Sequence, residues 1–405
     1  MKQLTEGGPA VRISEHVYWV GAVDWALRDF HGYATERGST YNAYLVTGEK
    51  TALVDTVKAP FLGEMLARIE SVMPLEQVDY LISNHAEMDH SGALPQAISL
   101  MKPEKVIAST TGVSALRDHF HLDQEITPVK DLETLSLGDL TLTFVEARML
   151  HWPESMFTYV AEDKVLLPND AFGMHLASSE RFADELPEWV LDYEARKYFA
   201  NILLPLSPLI TKALEKVRGL NLPIDIIAPS HGPIWRDPAA ILTRYAAWAA
   251  GAKVRRAVIV YDTMWGSTAK MALALAQGLT EGGVSVKVMP LKETHRSDIA
   301  FELLDAAALL VGSPTLNNTI LPRVGDILTY VRGLKPRNLV GAAFGSYGWS
   351  GESPKQVAEA LTAMKVELVG DPLIAKYVPE AEALQQCAAL GRQVAERIKE
   401  RVGEA

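Results

Sequence analysis

Beyond residue 254 the chain alternates short apolar runs with amphipathic stretches in a regular order, and few folds accept that order. Runs at 257–261, 284–288, 307–312, 339–344 and 366–368 read as strands, and stretches at 268–281, 324–334, 354–364 and 380–401 read as helices. Strands linked through helices form a parallel sheet covered on both faces, so the expectation is a doubly wound five-stranded sheet. Before residue 250 the pattern is looser. Runs at 11–20, 41–46 and 51–55 suggest a meander, followed by an amphipathic stretch at 61–73, a strand at 78–83 and a helix beginning near Gly92. Extended runs at 106–108, 140–146 and 159–167, with a helix at 111–120, continue the mixture, which suits a two-sheet αββα sandwich. Small residues at 246–251 and a basic step at 253–256 mark the change, so the domains are expected at 1–250 and 254–405.

A chain of 405 residues exceeds the usual size of one core, consistent with two domains. Its formal net charge of −11 argues against non-specific nucleic-acid binding. No run is long and apolar enough for a membrane span, and the first residues lack an apolar signal core, so a cytoplasmic location without membrane partners is expected. Cys387 is the single cysteine, which leaves no intramolecular disulfide and no cysteine-ligated cluster. Any metal must be held by histidines and carboxylates.

Those residue types cluster in Asn84-His85-Ala86-Glu87-Met88-Asp89-His90-Ser91-Gly92, a loop directly after the apolar run at 78–83. Ligands at the end of a buried strand lie where sites on α/β scaffolds usually form. The cluster resembles the dinuclear signature of the metallo-β-lactamase superfamily, His-x-His-x-Asp-His, with Glu87 in place of the second histidine. An added carboxylate hardens the site and suits iron better than a zinc hydrolase. His151, Asp170 and His231 follow, each at or just after an apolar run. His16, His119, His121, His175 and His295 join no constellation, and Cys387, in a helical stretch, reads as inert.

In the second domain, Thr263-Met264-Trp265-Gly266-Ser267-Thr268 follows the first strand and opens a helix, where hydroxyls, backbone N–H groups and the helix dipole favour a phosphate. Pro314-Thr315-Leu316-Asn317-Asn318 follows the third strand and Ser346-Tyr347-Gly348-Trp349-Ser350-Gly351 the fourth. Neither Gly-x-Gly-x-x-Gly after a strand nor a Walker loop is present, so no nicotinamide or nucleoside triphosphate site is indicated.

The whole set, in this order and across essentially the entire chain, resembles the flavodiiron proteins, also called A-type flavoproteins. The resemblance implies a metallo-β-lactamase-like αββα sandwich followed by a flavodoxin-like, doubly wound five-stranded parallel sheet. It implies that His85, Glu87 and His151 hold one iron, that Asp89, His90 and His231 hold the other, that Asp170 bridges them, and that the three loops of the second domain bind FMN. It implies reduction of O2 to water, of NO to nitrous oxide, or of both, with FMN relaying electrons from an external donor such as rubredoxin. A head-to-tail homodimer, or a dimer of dimers, would bring the FMN of one subunit to the iron site of the other. His31, in a loop with Trp25, Phe30 and Tyr33, and Tyr198 resemble residues near the iron site, as candidates to offer a proton or hydrogen bond to a bound diatomic. Two alternatives remain: a zinc hydrolase fused to a flavodoxin-like domain, and an electron-transfer module whose first half is a scaffold.

Overall fold

A computed structural model describes residues 8–403. The chain divides into two compact units, Met1–Tyr198 with Pro208–Ala246, and Phe199–Ser207 with Ala247–Ala405. The excursion at 199–207 is unannounced in the sequence, since it begins inside a helical region.

The first unit is built on two sheets. One runs in the order Val11–Arg12, Val17–Trp19, Tyr44–Thr47, Thr51–Val54, Tyr80–Ser83, Lys105–Ser109, Ile126–Val129, antiparallel up to Thr51–Val54 and parallel after it. The other comprises Thr134–Ser136, Thr141–Glu146, Met156–Val160, Val165–Leu167 and Ile226–Ile227. Side chains alternate across a strand, so consecutive apolar residues serve two cores. Val54, Ile82 and Ile107 pack against Phe144, Met156 and Val160 between the sheets. Their neighbours Leu53, Leu81 and Val106 face the other way, onto Met65 and Ile69 of the helix Leu62–Glu70 and Leu116 of Thr110–Phe120. Full burial of each such side chain contributes about 1.5–3 kcal/mol. This double demand explains why the runs read as continuously apolar. The expected run at 11–20 is broken by a turn into two short strands, and the loop expected after 83 closes into a short helix, Met88–Ser91, that carries Asp89 and His90.

In the second unit the parallel strands lie in the order Ser285–Pro290, Val254–Tyr261, Ala306–Gly312, Val340–Tyr347, followed by a split fifth position. Glu367–Leu368 pairs with Val340 and Gly341, and after a break Leu373–Lys376 pairs with Phe344 to Tyr347. The sequence reading stopped at residue 368 and also missed the helix Arg296–Leu303, whose apolar face is short. The order 2-1-3-4-5 is that of a flavodoxin-like sheet. Helices Ser267–Glu281 and Ala381–Val402 cover one face, meeting where a Cβ on Gly278 would stand 1.9 Å from the carbonyl oxygen of Ala388. Among the described residues no helix is long and apolar enough to cross a membrane.

Candidate functional site

Strand ends of the first unit deliver the predicted ligands to one rim. His85 follows Tyr80–Ser83, Asp170 follows Val165–Leu167, and His231 follows Ile226–Ile227. Two of these loops share a clamp: the carboxylate of buried Asp55 accepts from the Asn84 backbone N–H at 2.8 Å and from Asn169 Nδ2 at 3.1 Å. Ser230 N–H in turn donates to the Asn169 carbonyl at 2.8 Å, tying in the loop that carries His231.

The ligand atoms converge in two groups, His85 with Glu87, His151 and Asp170, and Asp89 with His90 and His231. Glu87 Oε2 lies 3.4 Å from His85 Nε2 and 3.2 Å from His151 Nε2, while Asp170 Oδ2 lies 3.4 and 3.3 Å from the same two nitrogens. Asp170 turns its other oxygen to the second group, with Oδ1 3.2 Å from His90 Nε2 and 3.3 Å from His231 Nε2. Asp89 completes that group, with Oδ1 3.4 Å from His90 Nε2 and Oδ2 3.1 Å from His231 Nε2.

These are not hydrogen bonds. His85 Nε2, His90 Nε2, Asp170 Oδ2 and both Asp89 oxygens are buried without any hydrogen-bond partner. Leaving such atoms unpaired is costly, and a cation removes the cost. Donors roughly 2.1 Å from a shared cation stand roughly 3.0–3.4 Å from one another, matching the separations found. The residues therefore fit two cations, with Asp170 spanning them.

Electrostatics supports that fit. Burial favours neutral histidine, yet Glu154, Glu87 and Asp170 hold the His85 pKa up to about 10. His231 is likewise raised to about 10 by Asp170 and Asp89, and His151 to about 9 by Asp170 and Glu87, each against burial. Asp170 is held well below its usual range, burial being outweighed by His90, His151 and His231. Without cations the cluster takes up protons, so it is a site that demands positive charge.

A cavity of about 540 Å³ reaches Glu87 and Asp89 and is lined also by Phe30, His31 and Lys58. His31 Nε2 lies 3.3 Å from Glu87 Oε1, on an exposed side chain. Tyr198 is buried and its hydroxyl donates to Asp170 Oδ1 at 3.1 Å. It ends the helix Glu188–Tyr198, immediately before a π-helical segment, Phe199–Leu203.

In the second unit a cavity of about 490 Å³ is lined by residues of all three predicted loops, namely Met264, Trp265 and Ser267, then 314–318, then 346–350. Thr263, Gly266, Thr268 and Gly351 lie off its lining. Two of them organise the loops instead: Thr263 Oγ1 accepts from Gly266 N–H at 3.1 Å, and buried Thr268 Oγ1 lies 3.0 Å from Ser346 Oγ. Gly266 has a φ of +86°, which only glycine adopts freely. Tyr377 and Val378 also line the cavity and were not foreseen, because they follow the second half of the split strand. Trp265 and Trp349 are 94% and 89% exposed at the rim.

Residues 40–232 match the family described as ODP family beta lactamase, and residues 259–391 match the flavodoxin family. The chain is 51% identical to a nitric oxide reductase of Moorella thermoacetica, over 96% of this chain and 98% of that one. Rubredoxin oxygen:oxidoreductase from Desulfovibrio gigas superposes with a TM-score of 0.96 at 44% identity, covering 98% of this chain and 100% of the other. The flavodiiron protein of Giardia intestinalis superposes at 0.93 with 34% identity, covering 98% of each chain. This chain is a flavodiiron protein. Its cofactors are accordingly FMN and a diiron centre.

Around the metal cluster of this flavodiiron chain stand residues that sequence reasoning passed over. Glu154 Oε1 accepts from His85 Nδ1 at 2.7 Å and from Ala86 N–H at 3.1 Å, fixing Nε2 as the ring nitrogen turned to Glu87 and Asp170. The Thr40 carbonyl does the same for His231 Nδ1 at 2.6 Å. His175 is fully enclosed, its Nδ1 2.8 Å from Ser39 Oγ and its ring beside those of His231, Tyr198, Phe30 and Tyr33. Burial and the neighbouring charge of His231 hold it neutral. Asp55 carried a readable signal, since it ends an apolar run as Asp170 nearly does. His175 carried none.

Proposed function

We propose that this protein reduces dioxygen to water, nitric oxide to nitrous oxide, or both, taking electrons through FMN from an external donor such as rubredoxin. One observation carries the reading: the two oxygens of buried Asp170 face two separate histidine–carboxylate groups. A diiron pair and a reduced FMN each hold two electrons, which matches the four that dioxygen takes up and exceeds the two needed for a pair of NO molecules. His85, Glu87 and His151 would hold one iron and Asp89, His90 and His231 the other. His90 belongs with the ligands, as its Nε2 is buried among them without another partner.

The surrounding residues bind, orient and shield. Tyr198 steadies Asp170, and burial beside that carboxylate holds its phenol protonated, so it acts as a hydrogen-bond donor. His31 stands at the mouth of the cavity, where it can pass a proton inward from water. Met264, Trp265, Ser267, residues 314–318 and residues 346–350 enclose the FMN, with Thr263, Gly266, Thr268 and Gly351 shaping their loops. We place the domain boundary at residues 250–254, the protein in the cytoplasm, and the active form as a head-to-tail homodimer or a dimer of dimers. Sedimentation of an active monomer would refute that assembly.

The reading is tested by metal and flavin content and by turnover with reduced rubredoxin. Two irons and one FMN per chain, with consumption of O2 or anaerobic consumption of NO, are expected. Two zinc ions and no reductase activity would overturn it. Comparing the two rates with one donor assigns the preferred substrate.

A further inference from the structure

Trp152 follows His151 and is not among the residues that line the cavity beside His31. Its ring meets that of His85 edge to face, with centroids 5.0 Å apart and planes at 86°, and lies 6.2 Å from the ring of His151. It thus touches two ligands of one metal group. On its other side is the ring of His119, centroid 6.0 Å away, and beyond that Phe120 at 5.8 Å. His119 is exposed and Trp152 half-buried. A chain of π-systems therefore runs from fully enclosed His85 to solvent, through an indole, a side chain that can be oxidised by one electron.

Tyr198 is the other oxidisable ring at the centre, and it is badly placed for that task. Its hydroxyl is buried and donates to Asp170, and losing an electron would strand its proton on a ligand. Trp152 reaches water and has no such difficulty.

We propose that Trp152 is a one-electron relay that protects the centre when dioxygen arrives before the flavin has been reduced. The indole gives one electron to the oxidised centre and its Nε1 proton to water, becoming a neutral indolyl radical. Of the four electrons taken up by dioxygen, two come from the ferrous pair and the indole passes the other two one at a time, refilled between them. The radical is refilled at the His119 face by one electron from a soluble reductant and one proton from water, so indole is regenerated. The proposal rests on the oxygen-reducing reading above.

The test uses full-length protein loaded with ferrous iron and oxidised FMN, mixed with dioxygen and freeze-quenched. An organic radical is expected by electron paramagnetic resonance, and its hyperfine pattern should change when the protein is grown with ring-deuterated tryptophan, which separates it from flavin semiquinone. The signal should be lost in Trp152→Phe and kept in Trp189→Phe, whose ring is 66% exposed. If Trp152→Phe fails to load iron, Trp152→Tyr should give a radical insensitive to labelled tryptophan. Oxygen uptake without a tryptophan radical in the unsubstituted protein would overturn the proposal alone, as would a radical that persists in Trp152→Phe. Failure of the fully reduced holoenzyme to consume oxygen would overturn the oxygen-reductase reading, and this relay with it.

Discussion

Glu154 touches no metal site directly, yet it decides how His85 can act. Its carboxylate fixes the imidazole tautomer and adds negative charge behind the ligand. Replacing such a partner typically costs roughly 10–100-fold in metal affinity. Glu154→Ala should therefore weaken iron retention by about that factor, with Glu154→Gln falling between, as read by competition with a chelator. Protons give a second check. His85 and His231 hold theirs up to about pH 10 and His151 to about 9, so iron uptake must displace them. Loading at neutral pH in weak buffer should release up to three protons per chain, and iron affinity should fall as pH is lowered. At this scale the convergence of the two groups was legible because their residues form a dense cluster and recur at strand ends. Glu154 and His175 were not, because their partners lie far along the chain and meet them only once the strands have paired.

Elements divide the same way. Runs of apolar residues marked the strands of the second unit to within a few positions, most plainly the three central ones, which are buried on both faces. The split of the fifth strand escaped, as its second half, Leu373–Lys376, has only one buried residue, Ala375. That half leads to Tyr377 and Val378, so missing it meant missing one wall of the cavity that the three loops line. The contact between Thr268 and Ser346 joins the helix Ser267–Glu281 to the end of the strand Val340–Tyr347. Losing one buried hydrogen bond costs about 1.5 kcal/mol. Thr268→Val should therefore weaken FMN binding about tenfold, measured by the rise in flavin fluorescence on release.

Each unit has its own core, and each core supports one cofactor. Calorimetry should resolve two unfolding transitions. FMN at about 100 times its dissociation constant should stabilise one of them by about 2.7 kcal/mol, while iron should move the other. Their dependence on pH follows from the raised histidines. Protons held above the ordinary histidine pKa of about 6.5 contribute stability in full below that value and lose it as pH rises through their folded pKa. The chelator-treated protein should thus lose thermal stability progressively from about pH 6.5 to about 10, and the iron-loaded protein should not, because its histidines bind metal rather than protons. The clamp at Asp55 belongs to this scale too, since Asp55→Ala would leave buried donors in two ligand loops without their acceptor, at a cost of about 1–3 kcal/mol each.

Asp170 makes the two metal positions mechanically interdependent. One carboxylate on one torsion serves both groups, so a rotation that draws Oδ2 inward must swing Oδ1 outward. No substitution or rearrangement at that residue can adjust one position and leave the other alone. A change meant to tune one group alone must therefore be made at the residues that face only that group, or at those behind them.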